Sequence, residues 1–250
     1  MASIDPIISV QRLTKKFGTF TAVDAISFEV MKGEIFGFLG ANGAGKTTAM
    51  KILIGISRPT SGTATVAGYD IYKETEQIKK SIGYMSQRFS LYNDLTIREN
   101  IEFFGGIYGL TQHQIRDKGE ALVEKLGLQD NYKRPISDLP LGWKQKLAFS
   151  IALLHDPRII FLDEPTGGVD PVTRRIFWNM IYEAAHRGVT IFVTTHYMDE
   201  AEYCNRVSMM VDGKIEALDS PGRLKDKYGV TSMNEVFVRL ARNQTRGKDA

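Results

Sequence analysis

A single cysteine, Cys204, is all that this chain of 250 residues carries. One thiol closes no internal disulfide and builds no metal cluster, so a reducing compartment such as the cytosol is expected. No apolar run approaches the roughly 18 uninterrupted residues that a spanning helix needs. The opening MASIDPIISVQRL has no basic stretch followed by an apolar one, so no secretory signal is read there. An excess of one charge is missing too. The 32 Lys and Arg stand against 29 Asp and Glu, a balance that gives no reason to expect nucleic acid as a partner. Repeats and low-complexity tracts are absent. What is present is an apolar fraction of 43%, too high to leave the chain uncollapsed. The length suits one large domain or two lobes sharing a core.

Two periodicities alternate along the chain. Ile7 to Leu13 and Thr21 to Val30 alternate as half-buried strands, and Glu34 to Leu39 is a short apolar run. Helical spacing follows Gly45 through Ile52 and Ile54, and dominates from about Leu95 to Leu154. Within it Thr111 and Gln114 form a capping box, and Ile115, Leu122 and Leu126 follow on one face. Gly127 stands where a helix should stop. Ile159 to Leu162 and Val189 to Val193 read as buried strands. Between them Asp170-Pro171 opens a helix with Ile176, Phe177, Met180, Ile181 and Ala184 on one face. Val207 to Leu218 is a hairpin turning at Asp212-Gly213. Two short helices, about Pro221 to Tyr228 and Asn234 to Leu240, come last, with Arg239 to Ala250 as a basic, solvated tail. The expected class is α/β: a parallel-sheet core, an antiparallel N-terminal sheet and an inserted helical lobe.

The sharpest motif is Gly40-Ala41-Asn42-Gly43-Ala44-Gly45-Lys46-Thr47, which fits G-x-x-x-x-G-K-[ST] between an apolar strand and a helix. The glycines let backbone N–H groups turn inward on phosphates, and the helix N-terminus adds its positive dipole end. Lys46 would bridge the β- and γ-phosphates of a bound nucleotide and the Thr47 hydroxyl would ligate Mg²⁺, with Thr48 beside it in the cradle. The second motif is Ile159-Ile160-Phe161-Leu162-Asp163-Glu164, a buried strand with consecutive carboxylates at its C-terminal end. Asp163 can hold Mg²⁺, and Glu164 can polarise a water in line with the γ-phosphate. A simple P-loop kinase does not need that second carboxylate, so hydrolysis is expected. His196 follows Thr194-Thr195 at another strand end. His113, His155 and His186 fall on predicted helices without metal-ligand spacing and read as structural.

Taken together, these motifs make the chain resemble an ATP-binding cassette (ABC) transporter ATPase along nearly its whole length. Gly40–Thr47 matches the family's Walker A, and Ile160–Glu164 with Pro165 and Thr166 its Walker B. Gln87 is similar to the glutamine that reaches Mg²⁺ and the attacking water. Gly168-Val169-Asp170 resembles the loop whose aspartate works across the dimer interface. His196 matches the switch histidine at the γ-phosphate. Phe17 sits where the family has an aromatic that stacks on adenine. One element departs: the signature Leu-Ser-Gly-Gly-Gln falls on Leu139-Pro140-Leu141-Gly142-Trp143, ahead of Lys144-Gln145-Lys146. Pro140 replaces the serine that would touch the partner's γ-phosphate. Either the site is weakened, or a helix N-terminus offering Leu141 and Gly142 backbone donors suffices; the intact Asp163, Glu164 and His196 favour the second.

The resemblance implies a P-loop NTPase (RecA-like) core in a single domain. Residues 1–88 and 155–250 would form the catalytic lobe with its β-subdomain, and 89–154 the helical subdomain. It implies ATP and Mg²⁺, and a homodimer or paralogue heterodimer sandwiching two nucleotides. It also implies an integral membrane permease that holds the protein at the cytoplasmic face of the inner (cell) membrane. Similar variant signatures, together with Gln87-Arg88-Phe89-Ser90-Leu91-Tyr92 and Asn234-Glu235-Val236-Phe237, resemble the ABC-2-type drug-exporter branch. In the family a permease helix docks between this glutamine loop and the helical lobe. Here that segment carries Phe89, Leu91, Tyr92, Leu95, Phe103, Phe104 and Tyr108, of which Phe89 and Tyr92 are the leading docking candidates. A soluble ABC-type ATPase of translation or DNA repair, or a regulatory subunit with impaired hydrolysis, would share the motifs. Cargo is not readable, and Cys204 is expected to be a small packed residue.

Overall fold

Two sheets organise the computed structural model, which describes residues 5–87 and 91–248. The N-terminal alternation folds as β1 (Ile8–Phe17) and β2 (Phe20–Val30), paired antiparallel. β3 (Ile35–Gly40) leaves for the second sheet and leads into α1 (Lys46–Leu53). The chain then returns as β4 (Ser61–Val66) and β5 (Tyr69–Asp70), completing a four-stranded antiparallel sheet of order β2-β1-β4-β5.

The second sheet takes β3, β6 (Ile82–Met85), β7 (Ile159–Asp163), β8 (Thr190–Thr195), β9 (Arg206–Val211) and β10 (Lys214–Asp219) in the order β10-β9-β3-β8-β7-β6. All its neighbours run parallel except β10, which returns antiparallel through a turn at Asp212 and Gly213, both at positive φ. That is the backbone a two-residue hairpin with a matching twist requires. β3, β7 and β8 are buried along their whole length, which explains why they read as continuous apolar runs instead of alternating ones.

Each face of this sheet has its own core. On one, Phe28, Phe36, Phe38, Phe161 and Phe192 pack with ring centroids 5.2 to 6.2 Å apart, joining the small sheet to the large one. Each such fully buried ring stabilises the fold by roughly 1.5–3 kcal/mol. On the other, Leu39 and Leu162 join one continuous cluster with Ile97, Ile115, Leu147, Phe177 and Trp178 from the helices. These helices are α3 (Ile97–Ile107), α4 (Gln112–Leu126), α5 (Leu141–Ala152) and α6 (Pro171–His186). α4 begins with the Thr111–Gln114 capping box and ends at Gly127 in the left-handed region. Cys204 lies buried against Gly37, and burial pushes its thiol up.

Several expectations need correction. β4, β5, α2 (Thr75–Ser81) and β6 had no place in the sequence reading. Ile176 is 40% exposed and Trp178 takes its place in the core, so the buried face of α6 is turned from the one expected. His155 lies in the turn after α5, not on a helix, and stacks on Tyr108 at 3.8 Å. After α7 (Pro221–Tyr228), α8 (Met233–Lys248) runs through most of the segment expected to be a frayed tail. Met233, Val236 and Leu240 pin its first turns. Among the described residues, no helix is long and apolar enough to cross a membrane.

Candidate active site

The C-terminal edges of β3, β7 and β8 lie side by side, with Leu39 paired to Thr195 and Asp163 to Thr194. Ligands bind at such an edge in open α/β sheets. The loop after β3 turns at Gly45, where φ is 104°. A Cβ there would sit 2.2 Å from the Ala22 carbonyl, so only glycine fits between the P-loop and β2. Lys46 follows, 4% exposed, and its ammonium donates to the carbonyls of Gly40 (2.8 Å) and Ala41 (3.1 Å). It also lies 3.5 Å from Glu164 Oε1. Burial pulls the Lys46 pKa down, and the Glu164 carboxylate opposes that shift.

Asp163 ends β7 almost fully buried. Its Oδ1 accepts the Thr194 hydroxyl at 2.6 Å and the Thr47 hydroxyl at 3.2 Å. This pair of hard oxygens suits Mg²⁺, which takes few protein ligands and keeps water and phosphate oxygens for the rest. Tyr84 on β6 feels the same charge. Burial first, and Asp163 second, push its phenol up to about 12.

Glu164 is held from three directions. Its backbone sits in the left-handed region at φ 49°, a strain of about 1–3 kcal/mol for a residue with a side chain. Its amide donates to both the carbonyl and the hydroxyl of Thr194, each at 3.1 Å. Its Oε2 accepts Gln87 Nε2 at 2.9 Å and lies 3.0 Å from His196 Nδ1. A carboxylate, an imidazole, a carboxamide and an ammonium from four separate segments therefore converge on one point. Such a set can accept a proton from water and stabilise charge developing on a phosphate.

A cavity of about 410 Å³ opens above this point. Asn42, Gly43, Gly45, Lys46, Thr47 and Thr48 line one side, and Phe20, Gln87 and Glu164 lie among the rest. Ala41 and Ala44 complete the loop around it, joined by a 3.2 Å backbone bond. Its volume falls in the range of small-molecule sites. A second cavity of about 340 Å³ among α4, α5 and α6 carries Lys118 and Lys125 on its wall, each already paired, with Asp156 and Glu183.

The structure brings Lys46, Thr47, Thr48, Gln87, Asp163, Glu164 and His196 together. Phe17 is the cross-strand partner of Phe20 at the end of the β1–β2 hairpin, with the Lys15 ammonium 4.9 Å from its ring centroid. It is Phe20 that borders the cavity. Leu141, Gly142 and Asp170 do not border it. Asp170 caps α6, accepting from Val172 and Thr173 amides at 3.0 Å and from the Thr173 hydroxyl at 2.5 Å. Those bonds, led by the hydroxyl, hold its carboxyl below the usual range. α5 starts beside it, because a Cβ on Gly142 would sit 2.7 Å from Thr173 Cγ2.

Thr194 was missed by sequence reasoning, although a threonine inside a fully buried strand must find a partner and so had a signal to give. Of the candidate docking aromatics, Tyr92 and Phe103 are exposed and in edge contact at 4.8 Å. Leu91 is buried and Tyr108 stacks on His155. Phe89 lies outside the described residues.

The ABC transporter family model matches residues 23–167. The chain belongs to that family. It is 45% identical over 241 residues to "Probable multidrug ABC transporter ATP-binding protein YbhF" of Escherichia coli (strain K12), a match covering 94% of this chain. That match spans 42% of the relative, so this chain accounts for less than half the length of that ABC protein. To "Linearmycin resistance ATP-binding protein LnrL" of Bacillus subtilis (strain 168) it is 34% identical over 252 residues, covering 97% of this chain and 81% of the relative. A solved ATP binding subunit of an ABC transporter superposes with a TM-score of 0.84 at 25% identity, covering 94% of this chain and 99% of that one. The ABC fold is thus shared nearly end to end.

Proposed function

We propose that this chain is the ATP-hydrolysing nucleotide-binding subunit of an ABC-2-type exporter, working through a separate membrane permease. The observation that carries the reading is the convergence of Gln87, His196 and Lys46 on Glu164 beside a phosphate-sized loop. Glu164 would take the proton of the attacking water, Gln87 would orient that water, and Lys46 and His196 would stabilise the γ-phosphate charge. Thr47 and Asp163 would hold Mg²⁺, which when bound neutralises charge between the β- and γ-phosphates. Phe17, by resemblance, would stack on the adenine.

Residues 1–88 and 155–250 act in this reading as the catalytic lobe, and 89–154 as the helical one. Two copies, or one copy with a paralogue, would close head to tail. The α5 N-terminus at Leu141 and Gly142, and Asp170 beside it, would then complete the partner's nucleotide site. Exposed Tyr92 and Phe103 would face the permease and hold the protein at the cytoplasmic face of the cell membrane. Relatives named for multidrug transport and linearmycin resistance support an efflux cargo. A regulatory subunit with impaired hydrolysis is the second reading, favoured by Pro140, which leaves α5 without a side-chain cap.

Glu164→Gln tests both. It should lower turnover by at least about 10²-fold while ATP-bound dimer accumulates. The tagged variant should also co-purify a polytopic membrane protein from detergent-solubilised membranes with MgATP. Brisk hydrolysis by the variant would remove Glu164 as the base. Recovery of ribosomal or DNA-repair proteins alone would remove the transport claim and leave the chemistry.

A further inference from the structure

The buried residues of α5 are Gln145, Leu147, Ala148, Phe149, Ile151 and Ala152, and only the first of them is polar. Gln145 is 4% exposed, and among the described residues its side-chain carbonyl Oε1 has no hydrogen-bond partner. A buried amide oxygen that has given up water without a replacement is costly, so native structures seldom keep one without a reason. Packing alone would be served as well by a leucine or methionine.

Gln145 lines a small cavity of about 30 Å³. The facing walls are Gln87, Glu164, Pro165 and Gly167, and Ala148 lies beside Gln145 on the helix. One water needs a probe-occupied space of roughly 10–15 Å³ and polar partners, and this space offers both. The cavity therefore sits between α5, which Pro140 precedes as N-cap, and the carboxylate that gathers Gln87 and His196.

We propose that Gln145 is a positioning residue for hydrolysis, its side-chain carbonyl holding a water that ties α5 to the Gln87–Glu164 pair. This rests on Glu164 being the general base, as argued above. Glu164 is fixed through its backbone by Thr194, and its carboxylate is held by Gln87, His196 and Lys46. A water seated on Gln145 adds α5 to that set, so the position of the helix is felt at the base through a single bridging molecule. Gln145 touches neither nucleotide nor attacking water in this arrangement, and its effect falls on rate and not on nucleotide affinity.

The test uses the full chain with MgATP. Gln145→Met, close in volume and helix-compatible, should lower kcat by about tenfold with KM for ATP within about twofold. The melting temperature should not fall, because methionine leaves no unpaired oxygen. Ala148→Val fills the cavity from the same helix with Gln145 intact, and should lower kcat in the same direction. In a Glu164→Gln background, Gln145→Met should change residual turnover by less than about twofold, since the group it positions is gone. Wild-type kcat in Gln145→Met would overturn the proposal, as would a full additive loss in the Glu164→Gln background. Melting temperature and kcat falling together in both cavity variants would reduce Gln145 to packing. A wild-type chain with no turnover would sink the hydrolysis reading and this inference with it. An active wild type matched by Gln145→Met would sink this inference alone.

Discussion

Two stretches of this chain that the proposed cycle brings to the same phosphate are constrained very differently. At the edge of β3, β7 and β8, Lys46 is buried against two carbonyls and Glu164. Asp163 accepts two hydroxyls, and Glu164 is bound through its amide and its carboxylate. At the start of α5, Pro140 supplies no side-chain cap, Leu141 is 39% exposed, and Gly142 packs on Thr173. The first region has its donors and acceptors in place within one chain, so little reorganisation is left for the moment of reaction. The second presents a bare helix N-terminus whose electrostatic value appears only when an anion is brought to it. In the proposed dimer that difference would let the first region carry the chemistry and the second decide when it runs.

Thr194 is the place to break the tighter region. Thr194→Val keeps the shape of β8 but removes the hydroxyl that bonds Asp163 Oδ1 and receives the Glu164 amide. Outer-shell partners of this kind are worth about 10–100-fold in metal affinity or activity. Apparent Mg²⁺ affinity in steady-state turnover should fall by that order, with protein melting little changed. An unchanged Mg²⁺ dependence would mean that Asp163 is placed by Thr47 and the strand alone.

That Thr194 escaped the sequence reading while Lys46, Gln87, Glu164 and His196 did not is instructive. Lys46 and Glu164 belong to short motifs whose spacing is dictated by contact with a phosphate, so their order along the chain carries the geometry, whereas Gln87 and His196 were given their roles only by the resemblance to ABC ATPases. The Thr111–Gln114 capping box and the Asp212-Gly213 turn were legible for a similar reason, because a few adjacent residues decide them. Thr194 works through a neighbouring strand, and nothing local marks it apart from a hydroxyl in an apolar run. β6 is hidden in the same way. It has four residues, and Gly83 is needed because a Cβ there would lie 2.2 Å from the Ala152 carbonyl, a contact made by distant chain. β4 buries only Ala64 and Val66, too little for a period to show. α8 outruns its apolar positions, since Met233, Val236 and Leu240 anchor one end and a polar helix continues from it.

Away from both regions, past the C-terminal end of α5, lies His155, whose ring stacks on Tyr108 and whose Nε2 is 3.0 Å from the Ile82 carbonyl at the start of β6. Burial lowers its pKa below the ordinary 6.5, and the Ile82 bond only partly opposes this. On acidification through 6.5 the unfolded chain takes up this proton before the folded one does. Stability is therefore undiminished above that pH and falls below it, until the folded pKa is also passed. His155→Phe keeps the stack and removes the titration. Its urea midpoint should vary less between pH 7 and pH 5 than that of the wild type. An identical slope in both would place the acid sensitivity elsewhere, and the link between α3 and β6 would then be packing alone.

The smallest effect is expected at Pro140, where the looser region can be made to look like the family's usual form. Pro140→Ser restores a hydroxyl able to accept from the first turn of α5. Such a cap stabilises a helix by about 1 kcal/mol, visible as a small rise in melting temperature. Turnover should stay within about threefold, because the donors that matter for an anion at this helix are backbone amides that Pro140 leaves free, above all that of Gly142. A turnover gain of tenfold or more would show that the serine side chain had been doing what the amides cannot. The wild-type chain would then be a slow ATPase by virtue of one proline, and the contrast between its two regions would be one of strength as well as of timing.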